Sequence, residues 1–347
     1  LTFDPAGKDY PLYNTALAEA RRREKQMMFV NCSKLGALLI TYVVMQRLLV
    51  YVYYVVAASF HSGTLIPLPS KALDYLRENK EFTDSTFFSM AGNLFVVVLS
   101  VIILLILARL VLKVDIKDMM RPRLKHIPQG LMWMPLCLLI NLVISYLITI
   151  LQSYLSAVGV TIPESDFTIS TPDTASIVMQ FIYVIVLGPL AEELIYRGLI
   201  LTLLKPFGKW LAVFFSALIF GMMHGNIPQM ASSFASALVM GVVAVQCGSI
   251  IPTLVIHICN NILASYMDFS DALGWSNGLE VFSALRIIVY IAGGFVIFVC
   301  SYRLLIKEEQ YALTAGQRFG QVFLNIPMLA YLGYLLYKIV SGIIKAN

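Results

Sequence analysis

Hydrophobic residues in this chain gather into nine long runs, at 35–59, 86–112, 130–158, 175–204, 210–226, 230–247, 250–268, 281–304 and 321–344. A hydrocarbon core of ~30 Å takes about 20 helical residues to cross, and each run reaches or approaches that length. Lipid offers no partner to stray backbone N–H and C=O groups, so continuous helix is the economical backbone for each run. The pattern predicts an all-α protein, a polytopic transmembrane helical bundle of about eight or nine spans. The fifth to seventh runs are short and closely spaced, which leaves their boundaries soft.

Composition agrees with lipid as the main solvent. Of 347 residues, 59% are hydrophobic and 13% charged, against roughly 25% charged in soluble domains. Folded in water, such a chain would expose far too much apolar surface. The lipid bilayer is therefore the first expected partner, and no nucleic acid is expected. Cys32, Cys137, Cys247, Cys259 and Cys300 are scattered through apolar segments without CxxC spacing, as inert buried thiols would be. The polar start, LTFDPAGKDYPLYN, reads as no cleavable signal peptide, and a first residue of Leu leads us to expect residues before it.

The placement of charge gives an orientation. Arg21, Arg22, Arg23, Lys25 and Lys34 precede the first run, and Lys113, Lys117, Arg121, Arg123 and Lys125 follow the second. Lys205 and Lys209 follow the fourth, and Arg303, Lys307 and Arg318 follow the eighth. The alternate loops hold Asp74, Glu78, Glu81 and Asp84, then Glu164, Asp166 and Asp173, then Asp268, Asp271 and Glu280, with Lys71, Arg77 and Lys80 mixed into the first of them. The positive-inside rule then puts the N-terminus in the cytoplasm and, for nine spans, the C-terminus outside. Asn14 to Met28 fits either a basic amphipathic helix on the anionic leaflet or a solvated tail. Tyr51, Tyr53, Tyr54 and Phe60 read as an aromatic belt at the outer interface.

Ionisable residues inside spans are costly and mark candidate sites. Arg47, Arg109 and Arg286 are singletons; Arg109 sits near a cytoplasmic end and is expected to snorkel, while Arg47 and Arg286 are expected to find bundle partners. The segment 188–261 is denser. It carries Gly188-Pro189-Leu-Ala-Glu192-Glu193-Leu-Ile-Tyr-Arg197-Gly198, then Phe220-Gly-Met-Met-His224-Gly-Asn226, then His257-Ile-Cys-Asn260-Asn261, and with them two of the chain's four histidines.

Depth along the helices is compatible with one site. Glu192 lies 13 residues before Lys205 and His224 lies 15 residues after Lys209, which at 1.5 Å per residue is roughly 20 and 22 Å from the basic end. His257 and Asn261 come out at roughly 13 and 19 Å from the Gly248–Ser249 turn on the same scale. Glu193 and Arg197 are i, i+4 with the acid first, the better orientation for a helical ion pair, and are read as structural. Glu192 points about 100° away around the helix, which keeps its carboxylate free to act as a general base. His257 and Asn261, also i, i+4, present N–H donors to one point, as an oxyanion hole requires. Phe220 and the neighbouring leucines are read as packing. Gly188, Gly221, Gly225 and Gly241 are read as allowing close helix contact, and Pro189 as kinking the fourth span.

At these residues the chain resembles the CPBP (Abi) group of CAAX-processing and bacteriocin-processing intramembrane proteases, whose motifs are EExxxR, FxxxH and HxxxN or HxxxD. Here they read EELIYR at 192–197, FGMMH at 220–224 and HICNN at 257–261. The resemblance covers about 175–268. It divides the chain into a cytoplasmic N-terminal segment (1–34), N-terminal transmembrane helices (35–174), a protease core (175–268) and C-terminal transmembrane helices (269–347). It implies a site open to lipid or cytoplasm and peptide-bond hydrolysis, with Glu192 and His224 activating water and His257 and Asn261 stabilising the oxyanion. The motif style, with Tyr-Arg-Gly after the glutamates, looks bacterial, which implies a bacterial cell membrane. It also points to a membrane-associated peptide or protein substrate rather than a prenylated one, and leaves room for a membrane protein partner.

Other readings stay open. Glu192, His224 and His257 form a possible ligand set for Zn²⁺ with one open water position; the absence of HExxH spacing and the weakness of Asn261 as a ligand favour a metal-free mechanism without cofactor. A non-proteolytic scaffold or regulator of the Abi type is a second alternative. A transporter using the buried charges is a third, weakened by the lack of an internal repeat.

Overall fold

The computed structural model describes residues 11–163, 169, 173–300, 306, 307 and 309–346. Glu164, Asp166 and Arg303, three of the loop charges that set the orientation, lie outside them. Each of the nine hydrophobic runs contains a helix, and no strand occurs among the described residues. The main helices are α1 (Pro11–Ser62), α2 (Pro69–Glu78), α3 (Thr86–Leu112), α4 (Met134–Ala157), α5 (Thr174–Phe207), α6 (Lys209–Met223), α7 (Ile227–Cys247), α8 (Ile251–Ala264), α9 (Gly278–Cys300), α10 (Ala315–Phe323) and α11 (Ile326–Ala346). Seven of the runs give helices long and apolar enough to cross a membrane; α6 and α8, at 15 and 14 residues, are shorter than a full crossing.

Two expectations change at the start of the chain. The basic stretch 14–28 is neither a separate surface helix nor a tail, but the first part of α1, which runs unbroken for 52 residues. The loop before α10 holds it there. The backbone N–H groups of Ala312 and Leu313 donate to Glu24 Oε2 at 2.8 and 3.1 Å, and Arg21 Nε donates to the Ala312 carbonyl. The aromatic belt is also only partly a belt. Phe60 is exposed, but Tyr53 turns inward, donates to the Phe88 carbonyl at 2.6 Å and packs on Phe88 and Phe95.

Loop contacts sort the bundle into two ends. At one, Lys34 donates to the Val111 carbonyl, Lys209 pairs with Glu309 at 2.9 Å, and Arg318 donates to the Phe207 carbonyl at 2.7 Å. These join the loops read as basic. At the other, the Ser176 hydroxyl accepts from the Phe87 N–H at 3.1 Å, joining two acid-rich loops. Inside, α6 packs along α7, α1 along α3 and α11, and α4 along both α7 and α9. The main core of aliphatic and aromatic side chains comes from α1, α3, α5, α6, α7 and α11.

Glycine sets the closest of these approaches. A side chain at Gly221 would meet the Met230 carbonyl at 2.8 Å, and one at Gly241 would press on Val213, so both serve the α6–α7 contact. The singleton arginines find modest partners: Arg47 reaches Tyr334 Oη at 3.4 Å, Arg286 reaches Tyr290 Oη on its own helix at 3.3 Å, and Arg109 stays exposed. Cys32, Cys137 and Cys247 are buried and unpaired in disulfides, and Cys259 is half-buried.

Candidate active site

Helix α5 carries the glutamates, and it is not a uniform α-helix. Phe181–Leu187 and Leu194–Leu201 are wound as π-helix, and a short α-helical stretch, Gly188–Glu193, lies between them. Such widened turns recur at functional sites because they release backbone groups and re-aim side chains. Here the cause is local. The Gly188 N–H bonds five residues back to the Tyr183 carbonyl, and a side chain at Gly188 would meet that carbonyl at 2.7 Å. Gly188 therefore serves its own turn rather than a neighbouring helix. In the same register the Val184 carbonyl faces residue 189, which is Pro and has no N–H to give. Asn261 Nδ2 supplies the missing donor at 2.8 Å. Pro189 thus does more than kink the span: it leaves a carbonyl free to hold an asparagine from another helix.

The two glutamates part ways. Glu193 is wholly buried: Oε1 accepts from Arg197 Nη1 at 2.8 Å and from His257 Nδ1 at 3.0 Å, and Oε2 accepts from the Thr253 hydroxyl at 2.6 Å. Arg197 is 1% exposed and lies over the Phe220 ring with its guanidinium carbon 4.7 Å from the centroid. The Glu192 side chain is 25% exposed and lines a cavity of about 560 Å³. Its Oε2 stands 3.4 Å from His257 Nε2.

His257 therefore bridges the buried pair and the cavity. A carboxylate can only accept, so Nδ1 carries the proton toward Glu193. Nε2 carries one only in the imidazolium form, in which case Glu192 accepts it. His224 caps the end of α6 and turns Nδ1 to the Phe220 carbonyl at 2.9 Å, leaving Nε2 toward the cavity and 3.5 Å from Ser233 Oγ. Phe220 packs edge-to-face on both rings, with centroids 5.1 Å from His224 and 5.6 Å from His257. Far from being mere filler, it spaces the two histidines and covers Arg197.

The four residues picked out as chemical, Glu192, His224, His257 and Asn261, all line the one cavity. Glu192 makes its direct contact with His257, while His224 packs on Phe220 and reaches Ser233. Thr253 was missed, although its signal was present: Thr253, His257 and Asn261 lie four residues apart on one stripe of α8. Asn141 was also missed, since nothing near it in sequence marks it; its Nδ2 donates to Asn260 Oδ1 at 2.7 Å and ties α4 to α8 beside the site. Among the described residues, no three His, Cys, Asp or Glu side chains stand together as a metal-binding group.

A carboxylate and two imidazoles in a cavity between membrane-crossing helices define the class: an integral membrane protein with a site fitted for acid–base chemistry. Residues 174–263, the segment that builds the site, match the family model described as Rce1-like, type II CAAX prenyl endopeptidase Rce1-like, which is consistent with a CPBP or CAAX protease family. The match supports an intramembrane CAAX-type endopeptidase at the general level. No curated protein and no solved structure matches the chain.

Proposed function

We propose that this protein is an intramembrane endopeptidase that hydrolyses a peptide bond in a membrane-associated peptide or protein. The observation that carries the reading is the separation of Glu192 from Glu193. One is neutralised in the core by Arg197, and the other is left facing the cavity beside His257. Glu192, aided by His224, takes a proton from water as the oxygen attacks the scissile carbonyl. The tetrahedral oxyanion is held by N–H donors from Asn261 and from Nε2 of His257 in its imidazolium form. Asn261 has a second N–H to offer, because Val184 engages only one. As the carbon–nitrogen bond breaks, the proton held by Glu192 passes to the leaving amine, and the carboxylate is restored.

The test compares peptides released by cells carrying the wild-type protein with those from cells carrying Glu192→Gln, and then repeats the comparison with purified protein. Hydrolysis that survives the substitution would remove Glu192 from the mechanism. In the metal-free reading, strong chelation leaves activity intact and Asn261→Ala lowers turnover by about 10²–10³ with little change in KM. One tightly bound zinc per chain, lost from His224→Ala and His257→Ala and needed for cleavage, would instead establish the metalloprotease. The basic loops favour a cytoplasmic N-terminus; a cysteine substituted for Lys125 should then react with a membrane-impermeant thiol reagent only after permeabilisation.

A further inference from the structure

Helix α4 lies outside the family-matched segment 174–263, yet it brings polar side chains to the cavity. Asn141, Ser145, Thr149 and Gln152 follow one another at helical spacing along a largely apolar span, and all four line the cavity. An amide in a membrane-crossing helix is costly unless it is hydrogen-bonded, and such side chains find their partners across helices. Asn141 uses both ends of its amide. Its Oδ1 accepts from the Ser145 hydroxyl at 3.2 Å, and its Nδ2 donates to Asn260 Oδ1 at 2.7 Å. Asn260 Nδ2 donates in turn to Asn261 Oδ1 at 3.5 Å, the longest link, and Asn261 Nδ2 donates to the Val184 carbonyl at 2.8 Å.

This chain of bonds has a direction, and its far end sets it. A backbone carbonyl only accepts, so Val184 takes an N–H from Asn261 and leaves Asn261 Oδ1 turned the other way. That oxygen faces the Asn260 N–H, which leaves Asn260 Oδ1 toward α4, where Asn141 meets it with an N–H. Reversing the Asn260 amide would set oxygen against oxygen at Asn261 and N–H against N–H at Asn141, and unmade bonds between half-buried amides are costly. At Asn261 the direction matters for chemistry. With its oxygen facing Asn260 and one N–H on Val184, the second N–H is the group left for the cavity. An amide turned end for end would aim a lone pair at a developing oxyanion instead. Val184 holds Asn261 through one hydrogen; the bond from Asn260 is the second hold, and Asn141 keeps Asn260 facing the way that supplies it.

We propose that Asn141 is a positioning residue: through Asn260 it fixes the Asn261 amide with an N–H toward the cavity. Its effect on turnover rests on the hydrolytic reading; the fixing of the amide does not. Asn141→Leu in the full-length protein removes the amide at nearly constant volume, with Asn141→Ala as a second variant if the first does not fold. In protein carrying isotopically labelled asparagine, the side-chain N–H signals of Asn261 are identified by their loss in Asn261→Ala. They should shift or split in the Asn141 variant, while those of Asn325, held by Phe29 and Ser33 of α1, stay in place. Asn261 signals that do not move overturn the proposal, and so does an equal displacement of Asn325, which would report a loosened bundle. Turnover is then read on a peptide whose cleavage is lost in Glu192→Gln. It should fall about 3- to 10-fold, the scale of one hydrogen bond, with KM unchanged. In the Asn261→Ala background the same change should have no further effect, because the two residues act as one unit. An equal fall in both backgrounds overturns the proposal, since Asn141 would then only brace the helices. If no peptide shows Glu192-dependent cleavage, hydrolysis fails on that result, and the Asn261 signals alone decide whether Asn141 fixes the amide.

Discussion

Glu192 and Glu193 are neighbours on one helix, yet their carboxylates share almost nothing of their surroundings. Glu193 is packed away from solvent among an arginine, a histidine and a threonine, each within 3.0 Å. Glu192 has a single close partner, His257, at 3.4 Å, and an open cavity. A step of about 100° around the helix separates a structural carboxylate from a reactive one. The difference teaches that burial alone does not mark a catalytic acid in a membrane bundle. What marks it is burial without a neutralising partner, beside a space that water and substrate can occupy.

The largest expected effect tests Glu192 itself. Glu192→Gln should lower peptide hydrolysis by about 10³-fold or more while the protein stays folded, since loss of general base catalysis accounts for roughly 10²–10⁴. Turnover in purified protein and monodispersity in detergent check the two halves. Glu193→Gln should do the opposite, lowering stability by about 3–5 kcal/mol because it strands the Arg197 charge in the core. The double change Glu193→Gln with Arg197→Met should recover part of that loss. Thermal unfolding of the two proteins decides, and equal destabilisation by Glu192→Gln would dissolve the comparison.

A smaller effect is expected one turn earlier. Pro189→Ala restores an N–H that can bond to the Val184 carbonyl and so competes with Asn261. Turnover should fall by about 3- to 10-fold with KM unchanged, the scale of one hydrogen bond of about 0.5–1.5 kcal/mol, and stability should hold or rise. A fall in stability without a change in turnover would make Pro189 a plain helix-shaping residue.

The smallest effect belongs to a third carboxylate of the same helix. Asp173 caps α5 outside the membrane-spanning stretch, and hydrogen bonds from the Ser176 hydroxyl and the Ser176 and Ala175 backbone N–H groups hold it below the usual carboxylate value of 3.8. A depressed folded value means that its stabilising contribution is complete above that ordinary value and is lost as pH falls through the folded one. Acid should therefore destabilise the wild type slightly more than Asp173→Asn, which keeps a capping oxygen that does not titrate. Matched unfolding curves at neutral and acid pH would show it, and identical pH dependence would remove the cap from the account.

Much of this protein is legible in its sequence. Nine apolar runs dictate helices because lipid cannot satisfy a bare backbone, and the i, i+4 spacing of Glu193 and Arg197 puts their side chains on one helical face. Three motifs mark the residues that gather at the cavity. The sequence could not say that stretch 14–28 continues into α1, because what fixes it there is a loop some 290 positions away. Nor could it show that His257 joins the two glutamates, that Phe220 spaces the histidines, or that Asn141 braces α8. Local periodicity decides which face a side chain takes and whether a segment is helix, since both depend on neighbours within a turn or two. Which groups meet across helices depends on packing. Only the tertiary structure turned a proline's missing N–H into a mooring for Asn261, and only it gathered the three motifs around one cavity.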